Sequence, residues 1–471
     1  MSGKIWTWDA EGRAFGEFPR AWADGIPEGD DSIIVCGSSP LPSHWRDGSC
    51  EPLILNRGAA AYAAASWQEL ARRLQRAGAA VLESPGSSGR RFIVSIFNLQ
   101  TIEVRRIAIE PSMSGLRNPS AFAANRRNQS RILLAAADPM FRRLSRAAVK
   151  ALYAVGLENG RVDMSVADSG SCKVSAIHLP DGEELQKGIW ARAIAVYRGQ
   201  RSRSANGKPH DEDLLRIGAD PEFLLLSEEG KVVSAATYLE GGYGTGCDAV
   251  VIGGRIMYPV AELRPAPAGS PDELAANIRR LLVQANTRIR DRRLRWAAGA
   301  MPVAGFALGG HIHLSGVPLT GRLLRQLDSY AALLLALIET PSEGARRPRF
   351  GTLGDCRMQP HGGFEYRTLP SWLLSPLAAK AAFALALLCA RESHALAYRP
   401  MEDETIVDAY YSADYEVLRT CVEPLASAMR ETASYAELGR WIEPLLAAIR
   451  RREHWDAATD VRVKWRIPIQ E

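Results

Sequence analysis

Eight side chains able to do chemistry recur in this sequence as pairs two residues apart. Asp220 and Glu222 lie in IGADPEFLLL (217–226), and Glu262 and Arg264 in YPVAELRP (258–265). His311 and His313 lie in GGHIHLSG (309–316), and Glu365 and Arg367 in GFEYRTLP (363–370). Each run alternates like a half-buried strand, so each pair shares one strand face. A strand interior disfavours Asp, and like charges side by side repel. A bound cation is the simplest compensation for Asp220 beside Glu222, and a solvated acidic edge strand is the alternative. If the four runs join one sheet with these faces aligned, they form a polar floor. Such a floor suits phosphoryl transfer, in which oxygen-ligated divalent cations bridge phosphates and guanidinium groups meet the developing charge.

Each residue also has a structural reading. His311 or His313 can be a buried histidine bonded to a carbonyl. Glu262 with Arg264, and Glu365 with Arg367, can be cross-strand ion pairs, and Asp220 can cap the turn at Pro221. Taken together these readings need four coincidences on neighbouring strands, so the metal-site reading is preferred.

The elements that must position these pairs follow from the local pattern. GGYGTGCD (241–248) has four glycines in six positions and reads as a flexible loop able to approach a ligand. It is not a phosphate-binding P-loop, because no GK[ST] follows and no helix opens there. Ser270, Pro271 and Glu273 form a helix start, with Leu274, Ile278, Leu281, Leu282, Ala285 and Ile289 as its buried stripe. The arginines at 288, 290, 292, 293 and 295 close that helix as a solvated cluster suited to a C-terminus. A second helix spans 319–339 and stops at Pro341. A basic loop with Arg346, Arg347 and Arg349 then leads into FGTLGDCR. Ser375 and Pro376 open a third, apolar helix. Residues 401–471 read as a helical tail, with helices at 415–432 and 436–452.

Upstream, strands are expected at 32–36, 52–56, 91–109, 162–166 and 172–177, and helices at 59–80 and 141–155. A polar stretch without packing potential places a domain boundary near 200–212.

The chain has 471 residues, 46% of them hydrophobic, enough for two or three globular domains. Lys plus Arg number 58 against 53 Asp plus Glu, a net charge of +5, too balanced to argue for nucleic acid. The seven cysteines lack CxxC spacing and read as reduced intracellular thiols. No signal layout opens the sequence and the most apolar helical run is too short to span a bilayer, so a cytoplasmic protein is expected. Cys356 and His361 could form a nucleophile pair, although their spacing says nothing about geometry.

In order, GADPEF, AELRP, GGHIHLSG and FGTLGDCR with FEYRTLPSW resemble the carboxylate–amine ligases, or amidoligases, of phage and bacterial genomes. These belong to the glutamine synthetase and glutamate–cysteine ligase superfamily. The resemblance covers about residues 213–395. It implies an α+β chain whose C-terminal part is a curved antiparallel sheet of the glutamine synthetase type, with helices on its convex face and the active site on its concave face. It also implies ATP and Mg2+ or Mn2+, and amide formation through an acyl phosphate with release of ADP. Carried over residue by residue, Asp220, Glu222, Glu262, His311 and Glu365 become metal ligands. His313, Arg357, Arg367 and Arg349 become nucleotide-binding groups, and Arg367, Arg264, His313 and Arg357 catalytic ones.

The N-terminal half carries a looser resemblance. AVGLENGRVDMSV, a turn and CKVSAIHLP are similar to the closing segment of ATP-grasp proteins. The metal-holding Glu and Asn of that family correspond here to Ala176 and His178, while Asp163 is retained. This implies a degenerate, non-catalytic lobe; an unrelated α/β domain is the alternative. The expected organisation is an α/β domain at 1–205, a ligase domain at 206–400 and a helical extension at 401–471. The expected substrates are a small-molecule or peptide carboxylate and an amine. The N-terminal domain is a candidate for docking a peptide or carrier or for homo-oligomer contacts, in a peptide- or natural-product-tailoring role. A non-catalytic nucleotide- or peptide-binding module and a guanidino kinase on the same fold are the alternative functions.

Overall fold

The structure, a computed structural model, describes residues 3–12, 18–42, 52–82, 89–109, 129–206, 214–242, 244–252, 255–360 and 362–468. It divides into two compact units, Met1–Gly207 and Lys208–Glu471.

The first unit contains two sheets. Strands β1 (Ile5–Trp8), β2 (Ser32–Val35) and β3 (Leu53–Leu55) pair in parallel. Strands β4 (Arg90–Phe97), β5 (Gln100–Ile109), β6 (Gln129–Leu133), β7 (Gly160–Val166) and β8 (Cys172–His178) form an antiparallel sheet in the order β6-β5-β4-β7-β8. Helices α1 (Ala59–Ala64) and α2 (Trp67–Arg76) replace the single helix expected over 59–80. The break follows from Ser66, whose side chain accepts the Glu69 N–H and so starts a second helix. Leu70 and Leu74 of α2 and Leu144, Ala148 and Leu152 of α3 (Pro139–Ala154) are buried against the antiparallel sheet. Helix α4 spans Gly188–Asn206, so the polar stretch expected to form a linker is helical as far as Asn206. Ile194 and Tyr197 anchor it, and the Tyr197 hydroxyl lies 2.9 Å from that of Ser32.

The second unit is built on a curled antiparallel sheet. Its main path runs β11 (Gly244–Ile252), β12 (Arg255–Arg264), β9 (Arg216–Leu226), β14 (Gly310–Ser315), β16 (Phe364–Tyr366) and β15 (Cys356–Met358). Two short strands, β10 (Val232–Val233) and β13 (Arg295–Ala297), also pair with β9. Strand β9 is the hub. Its first half pairs with β14 and its second half with β12, so the sheet turns about it. The curved antiparallel sheet expected for this half is therefore present.

Apolar residues of the alternation line the other side of the sheet. Phe223 stacks on Trp296 at 4.9 Å, and Trp372 meets Phe383 edge-on at 4.6 Å. Helix α5 (Pro271–Arg288) starts at Ser270, whose side chain accepts the Glu273 N–H as expected. Its basic end is used structurally: Arg288 donates to Thr245 Oγ1 at 2.7 Å, and Arg292 to Asn286 Oδ1 at 3.0 Å.

The helix expected at 319–339 is irregular. Helix α6 consists of α-helical Gly321–Gln326, π-helical Leu327–Ala332 and α-helical Leu333–Ala336. Helix α7 (Pro376–Arg391) is the apolar helix capped by Ser375. The tail opens one helix earlier than expected, with α8 (Glu404–Ser412), followed by α9 (Tyr415–Arg419), α10 (Val422–Arg430) and α11 (Tyr435–Arg450). It then returns to the sheet: Trp465 Nε1 donates to Leu373 O at 2.7 Å, and Arg462 caps Leu294 O. Among the described residues no helix is long and apolar enough to cross a membrane.

Candidate active site

The strand register lines up the polar pairs. Glu262 lies opposite Glu222, His311 opposite Asp220, His313 opposite Glu365, and Arg357 opposite Glu365. Residues directly opposite share a face, so β12, β9, β14, β16 and β15 together present one polar face. The four runs that alternated in the sequence are thus adjacent and in phase.

Two groups of donors form on this face. In the first, His311 Nδ1 lies 3.1 Å from Asp220 Oδ1 and 3.3 Å from Glu365 Oε1, and His313 Nε2 lies 3.2 Å from Asp220 Oδ2. In the second, donor atoms of Glu222, Asp248 and Glu262 lie within 4.8 Å of one another, as do those of Asp220, His313 and Glu365 in the first. Asp220, Glu222, Glu262 and Glu365 are all buried, and Glu365 is 0% exposed.

Despite these short separations, Asp220 Oδ1, His311 Nδ1, His313 Nε2, Glu365 Oε1 and Glu262 Oε2 have no aligned hydrogen-bond partner. The imidazoles and carboxylates are therefore charge partners held close with poorly aligned hydrogen bonds, and Glu262 Oε2 has the Arg264 guanidinium beside it. Buried polar atoms are otherwise almost always paired. Cation ligands at about 2.1 Å from a common centre sit about 3 Å apart, which matches the first group. Carboxylate oxygens and imidazole nitrogens are both ligands of divalent cations. The residues present therefore fit a divalent cation.

The electrostatics agree with a charged, crowded site. Burial pushes the Asp220 carboxyl up, but His311 and His313 beside it outweigh this and hold it below its ordinary value. Burial raises Glu222 to about 7, against the pull of His311 and the Gly309 N–H, which its Oε2 accepts at 2.6 Å. Burial lowers His311, and the carboxylates of Asp220 and Glu222 outweigh it to leave the imidazole raised.

Arginines edge the face. Arg357 Nε donates to Glu365 Oε2 at 2.8 Å, as does Gln359 Nε2, and the Arg357 side chain is 51% exposed. Arg367 Nε lies 3.4 Å from Glu365 Oε1. Arg264 pairs with Glu262 and donates to Gly242 O at 2.6 Å. The expected ion pairs of Glu262 and Glu365 thus exist, and they coexist with the donor groups. Arg349 stands apart: it is exposed over the Phe350 ring, and no described hydrogen bond or ion pair joins it to either group.

Three participants escaped sequence reasoning. Asp248 lies in the stretch expected to be a loop, but residues from Gly244 onward form strand β11, with Gly246 opposite Glu262 and Asp248 opposite Val260. Gly246 lies against Arg264, and a Cβ there would come within 2.7 Å of Arg264 Nη1 and displace that guanidinium. Gly309 not only donates to Glu222; a Cβ on it would overlap the His311 imidazole. Gln359 follows Arg357 by two residues, the same spacing as the other pairs. Cys356 lies opposite Tyr366, on the apolar side of the sheet, and burial pushes its thiol up to about 12, unlike an activated nucleophile. His361 lies outside the described residues. In the first unit, Asp163 lies opposite Ala176 and within 3.3 Å of His178 Nε2.

Among solved structures, the chain is similar to a bifunctional glutathione synthetase from Pasteurella multocida at 11% identity and TM-score 0.35. That match covers 54% of this chain, and the chain spans 48% of the synthetase. It is similar to ligand-free GmaS at 15% identity and TM-score 0.31, covering 61% of this chain and 80% of GmaS. It is also similar to PafA, the ligase of the prokaryotic ubiquitin-like protein Pup, at 11% identity and TM-score 0.36, covering 51% and 64%. No curated protein sequence matches the chain. The assignment rests instead on a family model that matches residues 217–467, more than half of the chain, from β9 and its carboxylates through the helical tail. On that match, and with every motif of the polar face inside it, the chain belongs to the phage phiEco32-like COOH.NH2 ligase-type 2 family.

Proposed function

We propose that the polar face is the active site of an ATP-dependent ligase that joins a carboxylate to an amine through an acyl phosphate and releases ADP. The observation that carries this reading is the pair of buried donor groups on one strand face, crowded together with poorly aligned hydrogen bonds and with guanidinium groups at the edge. Asp220, His311, His313 and Glu365 would hold one divalent cation, and Glu222, Asp248 and Glu262 a second. Bound there, Mg2+ or Mn2+ would offset the charge on the phosphates of ATP.

The chain's own groups supply the rest. The antiparallel ladders fix the donors before substrate arrives, so no reorganisation is needed during reaction. Arg357 and Arg367 are partly exposed and can turn planar forks toward a transferring phosphate or a substrate carboxylate. Arg264 is placed to do the same beside Glu262. In the reaction, a carboxylate oxygen bonds to the γ-phosphorus as the bond to ADP breaks. The amine nitrogen then bonds to the acyl carbon, phosphate leaves, and one proton is released.

The substrates are a small-molecule or peptide carboxylate and an amine. In this reading the first unit docks a peptide or carrier. Its cavity of 360 Å³ between the β4–β5 turn and one stripe of α4, lined by Phe97, Ile102, Ile189, Val196 and Tyr197, is of a size for side-chain recognition. Failure of Val196→Trp to change the KM of any accepted peptide would remove that role.

The test of the reaction is ATP turnover with Mg2+ over pools of amino acids and short peptides, with ADP and AMP distinguished. ADP and phosphate formed only with an acid and an amine together establish the ligase. AMP overturns the acyl-phosphate route. A protein that binds neither ATP nor Mn2+ overturns the site.

A further inference from the structure

Helix α6 changes from α to π geometry at Leu327–Ala332 and back again. A π turn admits an extra residue into the helix and recurs where a side chain must be re-aimed. The chemistry-bearing residue in this turn is Asp328, which is 1% exposed within an otherwise apolar run, LDSYAALLLALI. A carboxylate there is costly unless strong hydrogen bonds satisfy it.

They do, and they reach two different segments. Asp328 Oδ1 accepts the Tyr366 hydroxyl at 2.6 Å and the Gly354 N–H at 3.0 Å. Tyr366 follows Glu365 on β16, and Gly354 lies in the loop that leads into β15 and Arg357. One oxygen thus joins the two segments whose side chains meet where Arg357 Nε donates to Glu365 Oε2. Besides the β15–β16 ladder, which sets Arg357 opposite Glu365, the loop has two further ties to the end of β16: Arg367 N donates to Asp355 O at 2.8 Å, and Thr368 Oγ1 to Thr352 O at 2.7 Å. Asp328 differs from both because it comes from a third element, behind the sheet. It fixes loop and strand against the helix layer as well as against each other.

We propose that Asp328 is a positioning residue for the polar face: with the Tyr366 hydroxyl it reinforces the β15–β16 ladder and sets the spacing of the loop before Arg357 from the Glu365 strand. Held at that spacing, Arg357 and Gln359 occupy Glu365 Oε2, which leaves Oε1 facing His311. Without the tie, the loop shifts, Arg357 releases Oε2 and the carboxylate rotates away from the donor group. Asp328 touches no reacting atom. The inference rests on the divalent-cation reading proposed above.

The experiment measures Mn2+ binding to the full chain by electron paramagnetic resonance, without nucleotide. Asp328→Asn keeps the shape, Tyr366→Phe removes one hydroxyl, and Ser329→Ala is the control. Ser329 is buried in the same π turn, and its Oγ accepts the Met401 N–H instead. Asp328→Asn and Tyr366→Phe should each weaken Mn2+ binding about tenfold. The double variant should lose no more than the worse single, because both break one tie. Ser329→Ala should lower the melting temperature yet keep Mn2+ affinity within about twofold. If Asp328→Asn does not fold, Tyr366→Phe alone decides. Wild-type affinity in folded Tyr366→Phe overturns the inference, as does an equal loss in Ser329→Ala. A wild-type protein that binds no Mn2+ overturns the cation reading and this inference together; normal wild-type binding with unaffected variants overturns this inference alone.

Discussion

The two antiparallel sheets of this chain both place carboxylates and histidines on paired strands, and they treat them in opposite ways. In the first unit, Asp163 sits within 3.3 Å of His178, and Arg161 within 2.9 Å of Glu184, on a solvated face. Each charge has its partner and water besides. In the second unit, Asp220, His311, His313 and Glu365 are largely withdrawn from water and crowd together without aligned hydrogen bonds. Paired surface charges contribute little to either stability or function. Buried charges cost desolvation that their mutual attraction only partly returns, so a crowded buried set lowers stability. The contrast therefore separates a sheet whose polar groups are finished, paired and solvated, from one whose polar groups are buried and crowded.

Substitutions should break this contrast unequally. Glu365→Ala should lower Mn2+ affinity and any ATP turnover by more than about 100-fold, while Asp163→Asn changes neither by more than about twofold. Titration of both variants with Mn2+ and ATP checks this, and equal effects would erase the distinction between the sheets. Gly309→Ala, which crowds His311, should weaken Mn2+ about tenfold with the fold intact by circular dichroism.

The next effect has the opposite sign in stability. In chelator at pH 8, Glu222→Gln should be more stable than the wild type to urea by about 1–2 kcal/mol, because a buried charge is gone. Addition of Mn2+ should reverse the order, since only the wild type keeps its full donor group. The smallest effect is that of the finished pair. The hydrogen bond that His178 Nε2 donates to the Asp163 carboxylate raises the imidazole above 6.5 in the folded chain, against a smaller lowering by burial. A raised folded value means that the pair's contribution is complete below the unfolded value of about 6.5 and is lost as pH rises through the folded one. Both groups are well exposed, so the contribution, read as the pH dependence of urea midpoints in wild type against Asp163→Asn, should stay under about 0.5 kcal/mol.

The polar face was legible because a strand's period of two turns a sequence spacing directly into a shared face. Asp220 with Glu222, His311 with His313 and Glu365 with Arg367 needed only the ladder register to become neighbours. Asp248 was not legible for the same reason in reverse. Glycines at 241, 242, 244 and 246 lower strand propensity, yet two of them belong to β11, where Gly246 packs against the Arg264 guanidinium. The break of 59–80 at Ser66 and the helical continuation to Asn206 turned on one side-chain cap and on the packing of Ile194 and Tyr197. The particular contacts by which the tail packs on the sheet were harder to read. The hydrogen bonds of Arg462 and Trp465 to Leu294 and Leu373 join residues 92 to 168 apart, and no local pattern encodes them.

The central position of β9 has a consequence for how the chain is made. Residues 217–226 would be an unbroken apolar strand but for Asp220, Pro221 and Glu222. Its long ladder partners, β12 and β14, begin at Arg255 and Gly310, so during synthesis this segment emerges well before either can pair with it. An exposed apolar strand in that interval is a template for joining other nascent chains. Charges and a proline are the usual guards against such joining, and here Pro221 stands between Asp220 and Glu222. The carboxylates that crowd the finished site thus also protect the strand that carries them before the site exists.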